Sequence, residues 1–416
     1  METPYATTSV YWRRFGWAVL TAVLSAVGAF LFIAIMDLGI EWLWPEPLDY
    51  RPFSGSWWVV AVMTAVGLLV GLIHRYLPAK EIDVFDAMEE GQLPPKLVPG
   101  SLLVALASLI GGFSLGPEVP SGILAGGLAT WLSQRRGLDE EAQQTNILSG
   151  VLSAYGGLFS APFATVVAAL ELPHKQDRRY FGTLMITAVS AVVGFAVFYI
   201  ASGQPFGTVL RLLDLPTYEL ALWHIPVGVL LGIVGVGLAL VFGWLLRSLT
   251  RLFAPLNQRP IVRGGLGGLL LGLLALALPL TMFLGTDGLV TVTEQAAAMG
   301  VVLLLVLVLA KMVATAGALS TGFIGGPIFP LFFVGGTAGT ALHVLFPAVP
   351  LALSVSCLMT AVPAALLPIP FTLALIALLI TGVPVTEAIP VFLAGVTAHF
   401  VAQGFGLLGQ AHKKAP

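Results

Sequence analysis

The feature that most constrains this chain is an apolar run from Pro99 to about Ser133, in which Glu118 is the only charged residue. A continuous helix of that length would extend about 50 Å at ~1.5 Å per residue. The hydrocarbon core of a bilayer is only ~30 Å thick. We therefore predict a break at Gly116-Pro117, because proline cannot donate a helical hydrogen bond but suits the first turn of a new helix.

The composition places this run in a membrane. The 416-residue chain is 57% hydrophobic and 10% charged, with a mean hydropathy of +0.96, whereas soluble domains carry about 25% charged residues. We therefore predict an all-α, polytopic protein embedded in a lipid bilayer. The net charge of −2 provides no basic surface for nucleic acid, and no sequence feature indicates a cofactor.

Residues that commonly bind metals or form cross-links are sparse. The single cysteine, Cys357, excludes an intramolecular disulfide, and we interpret it as a buried, inert thiol. The six histidines show no metal-ligand spacing, so we expect no metal site.

The apolar segments divide the chain into two membrane halves, 15–204 and 219–404. A connector, 205–218, joins the halves, which lie between a short N-terminal segment, 1–14, and a tail, 405–416. The first apolar segment exceeds the h-region of a signal peptide, so we expect it to be retained. Spans are predicted at about 15–38, 56–77, 147–172, 181–202, 219–252, 262–283 and 300–321. The later segments 351–366, 369–382 and 387–404 are shorter, which indicates tilted and partial helices.

Lysine and arginine set the expected orientation. They concentrate in six places: Arg13 and Arg14, Arg75 and Lys80, Arg135 and Arg136, the basic cluster at 174–179, Arg247 to Arg263, and Lys413 and Lys414. The positive-inside rule favours the cytoplasm for most of these loops and for both termini. We expect a multi-pass protein of the cell inner (plasma) membrane.

Each half contains one glycine-rich break with a proline that opens a helix, at 116–120 and at 325–330. Interrupted helices in corresponding positions of two halves indicate the midplane site of a transporter. Helix N-termini carry partial positive charge and free N–H groups, and glycine allows a close approach, so such a site favours anions. Glu118 would occupy it until displaced by an ion or neutralised by a proton. A plain kink, or a carboxylate that merely caps its helix, is the structural alternative.

At these residues the chain resembles the CLC family of chloride channels and proton-coupled chloride transporters, and within it a divergent bacterial branch of ion-transport proteins. Residues 116–120 are similar to the family's Gly-Arg/Lys-Glu-Gly-Pro motif, and 326–330 to its Gly-x-Phe-x-Pro motif. Residues 159–171 resemble the helix that follows the first motif. Lys311 falls where many members carry a basic residue.

The resemblance implies an inverted-repeat fold of broken, tilted helices, usually assembled as a homodimer with one pore per subunit. It also implies that Glu118 is the gating glutamate. The implied anion site comprises Gly116, Glu118, Val119, Gly326, Ile328 and Phe329, with backbone N–H groups of Glu118, Val119, Ile328 and Phe329 as ligands.

The chain departs from the family pattern at several positions. Ala79 to Val84 contain no serine for the central ion, and no tyrosine follows Tyr218. Proline occupies positions 117 and 327, where N–H donors are expected. The exchangers' internal proton glutamate aligns with Leu172, although the adjacent Glu171 is a candidate for a proton pathway.

We expect transport of a small inorganic anion, chloride first, through a pore gated by Glu118, and not an enzyme. The alternative is a proton-coupled antiporter of chloride or fluoride. A cation transporter would need several acidic groups in a cavity, and only Glu118, Glu171 and Glu294 are available. An intramembrane hydrolase would need an aspartate pair or a serine–histidine pair, and neither His343 nor His399 has an obvious partner.

Overall fold

The computed structural model describes residues 9–44, 51–80, 82–172, 180–203 and 213–406. The basic cluster at 174–179, most of the connector and nearly all of the tail lie outside these residues. Sixteen α-helices make up most of the described part. They are α1 (Ser9–Leu43), α2 (Trp57–Tyr76), α3 (Val84–Glu90), α4 (Val98–Ile110), α5 (Glu118–Arg135), α6 (Glu140–Leu158), α7 (Pro162–Glu171), α8 (Tyr180–Ser202), α9 (His224–Phe253), α10 (Pro260–Ala277), α11 (Thr286–Glu294), α12 (Ala296–Thr321), α13 (Ile328–Leu345), α14 (Leu351–Ala364), α15 (Pro370–Thr381) and α16 (Ile389–Gly404).

The predicted break in the long apolar run is confirmed. α4 ends at Ile110, and α5 begins at Glu118 directly after Pro117. The polar segment 134–144 contains only a short loop, because the side chain of Asp139 accepts the N–H of Ala142 at 2.8 Å and so caps a helix that begins at Glu140. The segment predicted at 147–172 is two helices, since Ser160 has a φ of 49° and Pro162 opens α7.

The helix lengths agree with a membrane protein built from whole and partial spans. Within the described ranges, seven helices are long and apolar enough to cross a bilayer: α1, α2, α8, α9, α10, α12 and α13. Five shorter apolar helices have 10–17 residues: α4, α7, α14, α15 and α16. Because about 20 residues are needed to cross the hydrocarbon core, these five are partial helices. Partial helices were predicted for the three at the end of the chain, α14, α15 and α16.

One compact unit comprises the described residues of Met1–Leu38, Pro78–Leu103 and Pro117–Leu210. In it, α6 packs against α5 and α8, and α7 packs against α8. Small residues allow α6 and α8 to approach closely, since a Cβ atom at Gly156 or Gly194 would collide with backbone atoms of the facing helix.

The second unit comprises the described residues of Gly39–Leu77, Val104–Gly116 and Arg211–Pro416. α2 packs along α10 through facing glycines, Gly67 and Gly264, whose backbones are in contact. α13 packs against both α12 and α14. Its N-terminal half is almost completely buried, so this short helix lies in the core of its unit.

Candidate functional site

The two breaks share several features of local structure at a spacing of 210 residues. Gly112 and Gly322 both have positive φ, 84° and 98°. In each break the following phenylalanine, Phe113 or Phe323, donates its N–H to a carbonyl five residues earlier at 3.2 Å. Only glycine adopts this left-handed conformation without a steric cost, so the two glycines turn the chain in the same way.

The two breaks also contact each other through backbone hydrogen bonds and stacked rings. Gly116 donates its N–H to the carbonyl of Gly326 at 2.7 Å, and Gly326 returns the same bond to Gly116 at 2.7 Å. The rings of Phe113 and Phe323 stack with their centroids 3.7 Å apart. Equivalent residues therefore pair with equivalent residues, as they do across a local two-fold axis.

The helices that leave the two breaks begin alike. Pro117 and Pro327 are the N-caps, with φ, ψ of −80°, −1° and −90°, −7°. Neither N-terminus has a side-chain cap hydrogen bond. In both helices the N-cap residue is a proline, whose side chain has no hydrogen-bond acceptor for the N–H groups of the first turn.

Four of the predicted site residues lie in these first turns. Glu118, the first residue of α5, is 1% exposed, and Val119 is half-buried. They belong to the first unit. Ile328 and Phe329, the first two residues of α13, are buried in the second unit. The expectation that a carboxylate lies deep in the protein at a helix N-terminus is met by the placement of Glu118.

A small apolar cavity lies against α13 within the second unit. The aromatic side chains of Phe329, Phe332 and Phe333 line one part of it, and Thr286 and Met359 line another. Phe329 thus has its backbone in the first turn of α13 and its ring in the cavity wall.

Three contacts hold the first break in place inside the second unit. The indole of Trp44 donates to the carbonyl of Ile110 at 2.8 Å, and Phe283 donates its N–H to the carbonyl of Gly112 at 3.1 Å. The hydroxyls of Ser114 and Thr315 are 2.9 Å apart. These bonds satisfy backbone and side-chain groups that the break leaves without helical partners.

The second break is anchored by cationic and aromatic nitrogen donors at the end of α12. Arg263 donates from Nε and Nη2 to the carbonyl of Ser320, at 3.1 and 2.6 Å. His74 Nε2 donates to the carbonyl of Gly322 at 2.7 Å. Donors at this position complement the unsatisfied carbonyls and the negative end of the helix dipole.

Lys311 is fully buried in α12, and its ammonium donates to three successive carbonyls. The distances from Nζ to the oxygens of Thr281, Met282 and Phe283 are 3.2, 2.9 and 2.8 Å. The ammonium thus pairs with the end of a helix, since Pro279–Thr281 is a short 3-10 helix that ends here. The left-handed φ of 52° at Phe283 costs a non-glycine residue roughly 1 kcal/mol.

The remaining candidate site residues lie outside the two breaks. Glu171, the last residue of α7, is partly exposed, and the neighbouring Leu172 is buried. Glu294 is exposed at the end of α11. His343 and His399 bind backbone carbonyls, those of Val349 and Ala364. Among the described residues, no cluster of three metal-ligating side chains occurs.

Sequence reasoning missed the segment 281–283 and the hydroxyl pair Ser114–Thr315. Nothing in the run Thr281-Met282-Phe283 indicates that three carbonyls turn to one point, because the arrangement depends on the backbone angle of Phe283. The repeated Gly–Pro break did indicate a pair of related helix N-termini.

Comparisons with known proteins agree with this architecture. The family described as "Voltage gated chloride channel" matches residues 66–403, well over half of the chain. The chain is similar to "Putative ion-transport protein YfeO" of Salmonella paratyphi A, at 29% identity over 354 residues that cover 82% of each chain.

Two solved structures have a similar fold. One is a slow cyanobacterial Cl⁻/H⁺ antiporter, with a TM-score of 0.76 and 19% identity over 96% of this chain and 98% of that one. The other is a CLC-type fluoride/proton antiporter, with a TM-score of 0.77 and 20% identity over 97% and 98%. These likenesses confirm the predicted all-α fold of broken helices.

Proposed function

Because the chain belongs to the CLC family of voltage gated chloride channels, we propose that it carries a small inorganic anion, chloride first, across the membrane through a pathway gated by Glu118. The observation that carries the proposal is the pair of matched breaks, joined at Gly116 and Gly326, each of which leads through an N-cap proline into a helix N-terminus. The family consists of ion channels and transporters, so the function is transport and not catalysis.

We propose that the anion binds to backbone N–H groups of Glu118 and Val119 in α5 and of Ile328 and Phe329 in α13, beside Gly116 and Gly326. Helix N-termini bind anions because N–H groups and the positive end of the dipole point to the ligand. Support comes from the burial of Glu118, Ile328 and Phe329, since a water-poor site strengthens each of these interactions.

The carboxylate of Glu118 serves as the gate in this proposal. It carries the same charge as the transported ion and begins a helix whose N-terminus attracts that charge. Ion and carboxylate therefore compete, and protonation of Glu118 removes the competitor. A charged side chain buried in a membrane protein is costly and indicates a functional role.

The decisive measurement is ion flux from vesicles that contain the purified protein, with chloride, fluoride and potassium tested separately. We expect anion flux that rises as the pH falls. Glu118→Gln should mimic protonation and remove this pH dependence. If the carboxylate blocks the pathway nine times in ten, flux at neutral pH should increase about tenfold.

Glu294→Gln is the matched control, because it removes an exposed carboxylate from α11. It should leave both flux and pH dependence unchanged. An absence of anion flux under every condition would contradict the transport proposal, and an unchanged pH dependence in Glu118→Gln would contradict the gating role.

A proton-coupled antiporter is the second candidate. Two solved proteins of similar fold are described as Cl⁻/H⁺ and fluoride/proton antiporters, and Glu171 is the acidic group adjacent to the position that aligns with the exchangers' proton glutamate. Recording proton movement in the same vesicles decides between a passive channel and an antiporter. An antiporter moves protons uphill when an anion gradient drives it, and a passive channel does not.

We also propose that the protein is a homodimer in the bacterial inner membrane. Family resemblance supports both statements. The mass of the detergent-solubilised particle, after subtraction of bound detergent, should equal that of two 43.7 kDa chains.

A further inference from the structure

Lys311 occupies a site with the form of a cation-binding niche. Three carbonyl oxygens accept from its Nζ at 2.8 to 3.2 Å, and the ring of Phe333 lies on another side with its centroid 5.0 Å from Nζ. Carbonyl oxygens and an aromatic face both attract cations. No carboxylate among the described residues pairs with this ammonium.

The number of hydrogen-bond acceptors around Nζ indicates whether the Lys311 side chain is a neutral amine or an ammonium ion. A neutral amine has two N–H donors and a lone pair, whereas an ammonium has three donors and no acceptor. Three carbonyls at hydrogen-bond distance match the ammonium and would oppose a lone pair. The three acceptors around Nζ therefore favour the ammonium form of the side chain.

The niche is connected to the first break. Phe283, whose carbonyl accepts from Lys311, donates its own N–H to the carbonyl of Gly112 at 3.1 Å. Its ring also meets the indole of Trp44, which holds the carbonyl of Ile110. One turn after Lys311, Thr315 contacts the hydroxyl of Ser114. α12 thus holds the break directly through Thr315 and indirectly, by way of Phe283, through Lys311.

We propose that residues 281–283 and Phe333 form a niche for a small primary ammonium ion, which Lys311 fills as a tethered cation, and that Lys311 is a positioning residue for the break ahead of Glu118. Without the ammonium, the three carbonyls repel one another and Phe283 loses the conformation that presents its N–H to Gly112. The positioning role rests on the proposed gating by Glu118; the niche does not.

The niche is tested by chemical rescue of Lys311→Ala in detergent solution. This variant lacks four heavy atoms beyond Cβ, and n-propylammonium supplies the same three carbons and one nitrogen. The ion should raise the melting temperature of Lys311→Ala but not that of the wild type. Tetramethylammonium, which has no N–H donor, should have no effect. Equal responses of variant and wild type to n-propylammonium, or no response of Lys311→Ala, would overturn the niche.

The positioning role is tested by a double-mutant cycle on anion flux with Lys311→Met and Glu118→Gln. Lys311→Met keeps the length of the stem and removes only the donors, so the cycle remains informative where Lys311→Ala yields no folded protein. If Lys311 acts through the gate, Lys311→Met should change flux by about tenfold in the wild type and by less than about twofold when Glu118 is already neutral.

Lys96→Met, which removes an exposed lysine, is the control and should change flux in neither background. Equal effects of Lys311→Met in both backgrounds would overturn the positioning role. Failure of the proposed function is recognised separately, as an absence of anion flux in the wild type, and leaves the thermal test of the niche intact.

Discussion

At the scale of single residues, the close approach of the two breaks depends on a glycine, which has no Cβ atom. Gly325 lies beside the bridge, and a Cβ atom there would be 2.6 Å from the Cβ of Leu115 and 3.2 Å from the carbonyl oxygen of Gly116. The first contact is shorter than side-chain carbons tolerate, so the two segments can approach only because this position has no side chain. The bridge between Gly116 and Gly326 follows from that approach.

We therefore expect Gly325→Ala to separate the breaks and to lower both stability and anion flux. The cost should be about 1–3 kcal/mol, typical of overpacking. Gly237→Ala is the matched control, because Gly237 lies inside α9 with nothing within 4 Å of its Cβ position. Alanine there should stabilise the helix by about 0.5–1 kcal/mol. Thermal unfolding and flux of both variants test this, and a Gly325→Ala protein as active as the wild type would contradict it.

At the scale of elements, an ion-pair cluster ties the beginning of α6 to α1. The guanidinium of Arg14 donates to both carboxylate oxygens of Asp139, at 3.3 and 3.2 Å, and pairs with Glu141. The N–H of Ala142, followed by the guanidinium of Arg14, holds the pKa of the Asp139 carboxyl below its ordinary value. One side chain thus caps α6 and joins it to α1.

The lowered pKa predicts how stability depends on pH. A carboxylate favoured by the fold contributes stability above its unfolded pKa of about 3.9, and the contribution is lost as the pH falls through the folded value. Asp139→Asn keeps a capping side chain and removes the charge. Because the Asp139 side chain is 53% exposed, the loss at pH 7 should be below about 1 kcal/mol.

Melting temperatures of wild type and Asp139→Asn in detergent, measured from pH 7 down to pH 3, should converge as the pH falls below about 4. Asp139→Ala, which also loses the cap, should be less stable than Asp139→Asn by about 1 kcal/mol at both ends of this range. A difference between wild type and Asp139→Asn that does not change with pH would show that the charge has no role.

At the scale of the whole molecule, the compact units do not follow the order of the chain. Within the first proposed half, segments 39–77 and 104–116 belong to the second unit. α4 is divided between the units after Leu103. The two halves, 15–204 and 219–404, remain a prediction about an internal repeat. The two units, in contrast, are defined by which residues pack together.

The orientation in the membrane can be tested with the two ends of α9. Its 30 residues extend about 45 Å, so Glu219 before it and Asn257 after it lie on opposite faces of a bilayer. Both are exposed, and Asn257 is close to Arg251 and Arg259. By the positive-inside rule, we expect the Asn257 end to be cytoplasmic.

In a Cys357→Ser background, a membrane-impermeant maleimide applied from the periplasmic side should label Glu219→Cys and spare Asn257→Cys. Permeabilised cells, in which both should react, provide the control. The reverse pattern would show that the predicted orientation is wrong. The wild type should remain unlabelled until it is denatured, because Cys357 is fully buried.

The sequence alone predicts the features that the thickness of the bilayer imposes. The break at Gly116-Pro117 was predictable because no bilayer accommodates the run as one helix, and its partner at 325–330 because the same residue types recur. Features that depend on distant backbone angles were not predictable. The carbonyl partners of Lys311, for example, follow from the conformation of Phe283. The start of α6 was missed although Asp139 is a local N-cap signal.

The bridge between Gly116 and Gly326 also sets an order for biosynthesis. The two residues are 210 positions apart, and a ribosome that adds about 5–20 residues per second needs roughly 10–40 s to travel from one to the other. Throughout that interval the first break has an N–H and a C=O without their final partner, and each such group costs several kcal/mol in hydrocarbon. We therefore expect the nascent first break to stay beside water or the translocation machinery until the second break emerges, so that the two breaks enter the membrane together.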